Sequence, residues 1–157
     1  MSEYPLPYQS TDLTGQVAFV TGTTAGLGKR FAQVLAACGA KVIVTGRRVD
    51  RLEALSAEIN ASGGQAAPVA VDMTDRSSIR NALKAAEDLF GTVTILVNNA
   101  GIPDAQRAVK MDDELMDAVF ETNLIGPWVL SVEVAKRLIA AERPGRIVNI
   151  ASNAAVN

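Results

Sequence analysis

The stretch Val17-Ala-Phe-Val-Thr-Gly-Thr-Thr-Ala-Gly-Leu-Gly28 runs from an apolar segment, through glycines at 22, 26 and 28, into an amphipathic one. A short apolar run that ends in glycines and continues at helical spacing reads as a buried strand, a tight turn and a helix start. Such a junction suits anions. Gly22 permits the turn, the missing side chains let a diphosphate approach the backbone, and the helix start offers unpaired N–H groups and the positive end of its dipole. The spacing is G-x-x-x-G-x-G rather than the more common G-x-G-x-x-G of dinucleotide sites. Taken alone, the glycines leave an ordinary tight turn open as a reading.

Outward from this junction, apolar runs alternate with amphipathic stretches from Gly15 onward, without linker, repeat or low-complexity segment. Strands are expected at Val17–Thr21, Lys41–Thr45, Ala66–Val71, Thr94–Asn98 and Arg146–Ala151. Helices are expected near Leu27–Cys38, Asp50–Ala61 and Asp75–Phe90, with a long or broken one from Asp112 to Ala141, kinked near Gly126-Pro127. Ile79, Ala82, Leu83, Ala86 and Phe90 share one helical face, away from Arg76, Arg80, Lys84 and Asp88. Phe31, Val34, Leu35 and Cys38 make a similar stripe, which predicts a core position for Cys38, with Gly39 as C-cap. Leu130, Val134 and Leu138 read as core in the last helix.

The alternation predicts an α/β fold, a three-layer αβα arrangement of Rossmann type with a parallel sheet in the order 3-2-1-4-5. Pro68 supports it, because proline removes a ladder hydrogen bond and is tolerated at a sheet edge, where this order puts the third strand. Residues 1–157 are read as one domain, with 1–13 as an N-terminal tail.

Composition narrows the chemistry. The 157 residues carry 15 Lys and Arg against 17 Asp and Glu, no histidine and one cysteine. Zinc sites of the usual Cys/His kind, a Ser-His-Asp hydrolase and an internal disulfide are thereby excluded. No basic run supports nucleic-acid or membrane-surface binding, and no signal-like or membrane-crossing apolar stretch is present. The expectation is a cytoplasmic protein with a small-molecule ligand and no metal.

Thr21-Gly22-x-x-x-Gly26-x-Gly28 resembles the glycine motif of the short-chain dehydrogenases/reductases. Further matches follow in order: Asp72 after the third strand, Asn98-Asn99-Ala100-Gly101 after the fourth, Asn123 in the next helix, and Ile147-Val148-Asn149-Ile150-Ala151-Ser152 at the fifth. The resemblance covers nearly all of Leu13 to Asn157. It implies a nucleotide site at Gly22, Thr24, Ala25, Gly26, Leu27 and Gly28. Asp72, with Met73 beside it, would accept from the adenine amino group, and Asn99, Ala100 and Gly101 would line the ribose and brace the central strands. A turn or helix-cap role for Asp72 stays open, although Asp75 could cap that helix instead.

After the second strand, an acidic residue would bind the 2′-hydroxyl of NAD, whereas arginine can pair with the 2′-phosphate of NADP. Gly46-Arg47-Arg48 offers two guanidinium groups and no carboxylate. NADP(H) is favoured, with Arg47 the first choice, and NAD(H) stays open. Ala25 departs from relatives that carry a second basic residue in the glycine loop.

The resemblance also implies catalytic roles: Ser152 would hold the substrate oxygen, and Asn123 a water in the proton path. A Tyr-x-x-x-Lys pair should follow the serine, but the only tyrosines, Tyr4 and Tyr8, have no lysine four positions on. The chain is therefore expected to be a truncated, by itself inactive portion of an oxidoreductase. The intact protein would act on a secondary alcohol or ketone, such as a 3-oxoacyl thioester, sugar acid or steroid, as a homo-dimer or homo-tetramer. Ile102–Met111 would form one wall of the substrate pocket. The alternative is a non-catalytic nucleotide-binding module or partner subunit. A flavodoxin-like protein would fit five strands, yet gives no reason for the series Asp72, Asn99, Asn123 and Ser152.

Overall fold

The computed structural model describes residues 11–103 and 108–152. Within them, a five-stranded parallel sheet is built from β1 (Val17–Val20), β2 (Lys41–Gly46), β3 (Gln65–Ala70), β4 (Ile95–Asn98) and β5 (Arg146–Asn149), in the order β3-β2-β1-β4-β5. Helices α1 (Gly26–Ala37), α2 (Val49–Ala61) and α3 (Arg76–Phe90) are the first three crossovers. The last crossover is broken as expected: α4 (Asp113–Phe120), a π turn (Glu121–Ile125) and α5 (Gly126–Ala140).

β1 lies at the centre, and its four side chains are all buried. Because alternate residues of a strand face opposite sides, Val17 and Phe19 join the α3/α5 layer, while Ala18 and Val20 join the α1/α2 layer. β2 and β4 repeat the division, with Ile43 and Leu96 on one side and Val42, Val44, Ile95 and Val97 on the other. The continuous apolar runs of these strands are thus a consequence of cover on both faces. Pro68 sits opposite Val44 on the outer strand, where its missing N–H leaves no gap in a ladder.

The predicted face of α3 is the buried one, and Leu130, Val134 and Leu138 of α5 are core. The stripe expected on α1 is corrected. Phe31 and Leu35 of it pack on the α1/α2 core, but Gly28, Ala32 and Ala36 are the buried positions, Val34 is 42% exposed, and Cys38 is a half-buried C-cap residue. The reason is distance: a helix that springs from a tight turn lies close to its strands and admits only small side chains at the contact. Ala36 is also crowded by the α2–β3 turn, where a Cβ added to Gly64 would come within 3.1 Å of its own. Leu13, the last residue of the expected tail, donates its N–H to Cys38 O at 2.7 Å and packs on the α1/α2 core.

An ion network clamps α5 to α3. Arg137 bridges Glu87 at 3.0 Å and Glu133 at 2.9 Å, and Arg80 reaches Glu133 at 3.5 Å. The hydrogen bond from Arg137 holds the Glu133 carboxyl below the ordinary glutamate range, Lys136 and Arg80 reinforce this, and partial burial opposes it. A depressed folded-state pKa means that the clamp stabilises the fold above the ordinary glutamate pKa and is lost as pH falls through the folded value. Urea denaturation of Glu133→Gln should therefore show a lower midpoint than wild type at neutral pH, with the gap closing in acid. A gap independent of pH would contradict the assignment.

Candidate functional site

The carboxyl ends of β1, β2, β3 and β4 open onto one cavity of about 590 Å³. Gly22, Thr24 and Ala25 form its floor at the β1–α1 turn, and Gly46, Arg47 and Arg48 come from the end of β2. Val71, Asp72 and Met73 follow β3, Asn99 to Ile102 follow β4, and Thr122 comes from the π turn. This is the crevice at the point where the strand order reverses, the usual ligand position in open α/β sheets.

Thr21 organises the junction. Its buried Oγ1 accepts from the N–H groups of both Asn99 and Ala100 at 2.9 Å. In return, Asn99 Nδ2 donates to the carbonyls of Thr21 and Gly22 at 3.0 and 3.2 Å. The turn and the end of β4 are therefore held together from both sides. Gly22 has φ +71, and a Cβ there would stand 2.8 Å from the Ala100 Cα. Beneath it, a Cβ at Gly28 would collide with the Gly22 carbonyl and the Asn99 amide.

Most of the predicted nucleotide-site residues line the cavity, whereas Gly26, Leu27 and Gly28 lie outside its lining. Gly28 supports the floor from below, and Leu27 is 62% exposed. Gly26 begins α1 with φ +58 and open space around it. Gly46, Val71, Ile102 and Thr122 were not predicted as nucleotide contacts. Thr122 had no signal beyond adjacency to Asn123, because its orientation is set by the π turn.

The start of α1 fits a diphosphate. Its N-cap, Ala25, has no side-chain acceptor, and no acidic residue stands in the first turn. By contrast, α3 and α4 are capped by Asp75 and Asp112. The first N–H groups of α1 are thus left for an external anion, in the field of the helix dipole. Arg47 and Arg48 add positive charge farther along the wall. Asp72 is not the cap: its Oδ1 accepts from the Thr74 N–H and hydroxyl at 3.0 and 2.8 Å, so Oδ2 is the carboxylate oxygen open to a ligand donor.

Asn123 faces a second cavity of about 410 Å³, which shares Ala100 with the first and includes Asn98, Trp128, Asn149 and Ala151. Its amide is spent on a two-way clasp with Ile102, accepting from the N–H at 2.9 Å and donating to the carbonyl at 3.0 Å. The side chain thereby holds the wall segment that follows β4. Ser152 lies three residues beyond β5, on the surface, outside the lining of either cavity. Of the wall expected at Ile102–Met111, residues 104–107 lie outside the described residues.

The short chain dehydrogenase profile matches residues 16–157. The chain belongs to the short-chain dehydrogenase family. Galactitol 2-dehydrogenase of Agrobacterium fabrum is 39% identical over 142 residues, which is 90% of this chain and 54% of that protein. The 3-oxoacyl-(acyl-carrier-protein) reductase of Escherichia coli is 38% identical over 138 residues, 88% of this chain and 55% of that protein. A metagenomic short-chain oxidoreductase crystallised with NADP superposes with a TM-score of 0.87 at 38% identity, covering 94% of this chain and 66% of that one. This short-chain dehydrogenase chain thus spans about half the length of the curated relatives it matches.

The double acceptance by Thr21 is testable. Thr21→Val should lower the unfolding free energy in urea by about 1–3 kcal/mol, since two half-buried N–H groups lose their acceptor, whereas Thr21→Ser should retain most of it. Equal stability of the two variants would show that the hydroxyl is not what joins the turn to β4.

Proposed function

We propose that the intact protein is an NADP(H)-dependent oxidoreductase that interconverts a secondary alcohol and a ketone, and that this chain supplies its cofactor site. The observation that carries the proposal is the N-cap of α1, Ala25, which makes no side-chain cap and lines a cavity that Arg47 and Arg48 also line, with no carboxylate contributed from the end of β2. A nicotinamide dinucleotide held there supplies hydride chemistry. The chain's own residues do the binding and positioning. The first turn of α1 receives the diphosphate, and the arginines receive the 2′-phosphate through paired, charge-assisted hydrogen bonds.

Asp72 Oδ2 accepts from the adenine amino group, and Asn99, Ala100 and Gly101 form the ribose wall. Asn123 serves by fixing Ile102, and Ser152 contributes a hydroxyl toward the substrate oxygen. The names of the relatives, galactitol 2-dehydrogenase and 3-oxoacyl reductase, support the alcohol–ketone pair. The NADP bound in the metagenomic neighbour supports the cofactor. A cytoplasmic location and assembly as a homo-dimer or homo-tetramer belong to the same proposal.

Titration calorimetry on the intact protein should find NADPH bound more tightly than NADH. Arg47→Ala should weaken NADPH about tenfold or more while sparing NADH, as expected for loss of a hydrogen bond between charged groups. Equal weakening of both nucleotides would remove Arg47 from 2′-phosphate recognition. In steady-state assays, Ser152→Ala should depress kcat about a hundredfold or more, the scale for losing one donor to a developing oxyanion, with NADPH affinity retained. An unchanged kcat would exclude Ser152 from the reaction.

A further inference from the structure

β4 ends in Asn98, and the chain turns away at Asn99. Asn99 ties this end of the strand to β1, whereas the Asn98 side chain reaches toward β5. Its Nδ2 donates to Asn149 Oδ1 at 2.8 Å and to Ser131 Oγ at 3.0 Å. Asn149 is its register partner at the end of β5, and Ser131 lies in the second turn of α5. Ser131 commits its own proton to the Pro127 carbonyl at 2.7 Å, so its oxygen is left to accept. The main-chain carbonyl of Asn98 also receives the N–H of Ile150 at 2.9 Å. One residue thus joins β4, β5 and α5, and holds the first residue beyond β5 as well.

This node has a cost. Asn98 is 4% exposed, and its Oδ1 is buried without a hydrogen-bond partner among the described residues. An unpaired buried acceptor destabilises a fold, and an apolar side chain of similar shape would carry no such penalty. A group of this kind calls for a reason other than stability. The amide nitrogen serves two segments that both line the second cavity, one in α5 and one at the end of β5. Beyond Asn149 the chain continues along that cavity through Ile150 and Ala151, and Ser152 follows.

Resting on the reading of Ser152 above, we infer that Asn98, Asn149 and Ser131 form a positioning node that fixes where the chain leaves β5, and with it the placement of the Ser152 hydroxyl. All three act through Ser152. That residue lies two positions past Ile150, the last one bonded to Asn98, so a tilt at the end of β5 is passed on to it. Small misplacements of a reacting group are enough to cost a large factor in rate. Asn98 and Asn99 then do complementary work. One sets the residue that meets the substrate, the next sets the nucleotide floor, and a single dipeptide holds the two in register.

The intact protein is assayed for NADPH oxidation with a 3-oxoacyl thioester, a keto sugar acid and a ketosteroid, and the best of these is carried forward. Asn149→Ala, at an exposed position of β5, should lower kcat about tenfold with the NADPH Kd unchanged. Asn149→Asp, which keeps an acceptor for Asn98, should restore most of kcat. In a Ser152→Ala background, Asn149→Ala should cost little more, because residues that act as a unit are not additive. Should Asn149→Ala unfold the protein, Ser131→Ala removes the other acceptor, outside the sheet, and carries the same expectations.

An unchanged kcat, a matching loss of NADPH affinity, no recovery in Asn149→Asp, or the full loss repeated on top of Ser152→Ala overturns the node while the oxidoreductase reading stands. If Ser152→Ala itself leaves kcat unchanged, the reading of Ser152 fails, and the node with it. If wild type oxidises NADPH with none of the three ketones, the alcohol–ketone reading fails first.

Discussion

The close approach of three backbone segments at Gly22, Gly28 and Asn99 is the constraint on which the rest of the site depends. Gly28 puts the first turn of α1 against the Gly22 carbonyl with no room for a side chain, and Asn99 closes the same space from the end of β4. This packing fixes where α1 begins, with its N-cap, Ala25, in the cavity lining. It is consistent with small residues, Gly28 and Ala32, at the buried positions in the first turns of α1. Charge is then distributed around a fixed backbone hollow. The hollow has donors at the helix start and arginines after β2, with a single carboxylate, Asp72, after β3.

Holding that hollow in shape falls to uncharged residues. Thr21 accepts from two N–H groups of the β4 turn, Thr23 and Thr24 tie the glycine turn to β2, and Asn123 clasps Ile102. Each of these bonds joins segments distant in sequence, and several are buried or half-buried. Their loss leaves an unpaired polar group away from water, which costs more than the bond itself contributes. The side chains that face the ligand are thus positioned by a shell of hydroxyls and amides whose own chemistry is unremarkable.

Much of this was legible in the sequence because it rests on local rules. The alternation of apolar runs with helical spacing predicts the strands to within a residue or two, and Pro68 marks the outer strand. Asp75 has the N-cap position that its spacing implies. What escaped is non-local. In the stripe Phe31, Val34, Leu35 and Cys38, Phe31 and Leu35 pack on the core but Val34 does not, because the most buried positions, Gly28, Ala32 and Ala36, are chosen by distance to the sheet, which periodicity does not encode. Thr122 enters the cavity wall because the chain winds one residue wider through the π turn, and nothing in Glu121–Ile125 announces such a turn. Asn123 lines the second cavity, and its amide is committed to Ile102, a partner that becomes visible only when the β4 turn and the π turn are brought together.

Hydrogen exchange on the intact protein, with and without NADPH, addresses the diphosphate hollow most directly. Amides at Ala25–Gly28, the uncapped start of α1, should gain protection when the nucleotide binds, while those at the capped start of α3 should not. Protection that bypasses residues 25–28 would mean that the nucleotide is held elsewhere and that the uncapped helix start is not its seat.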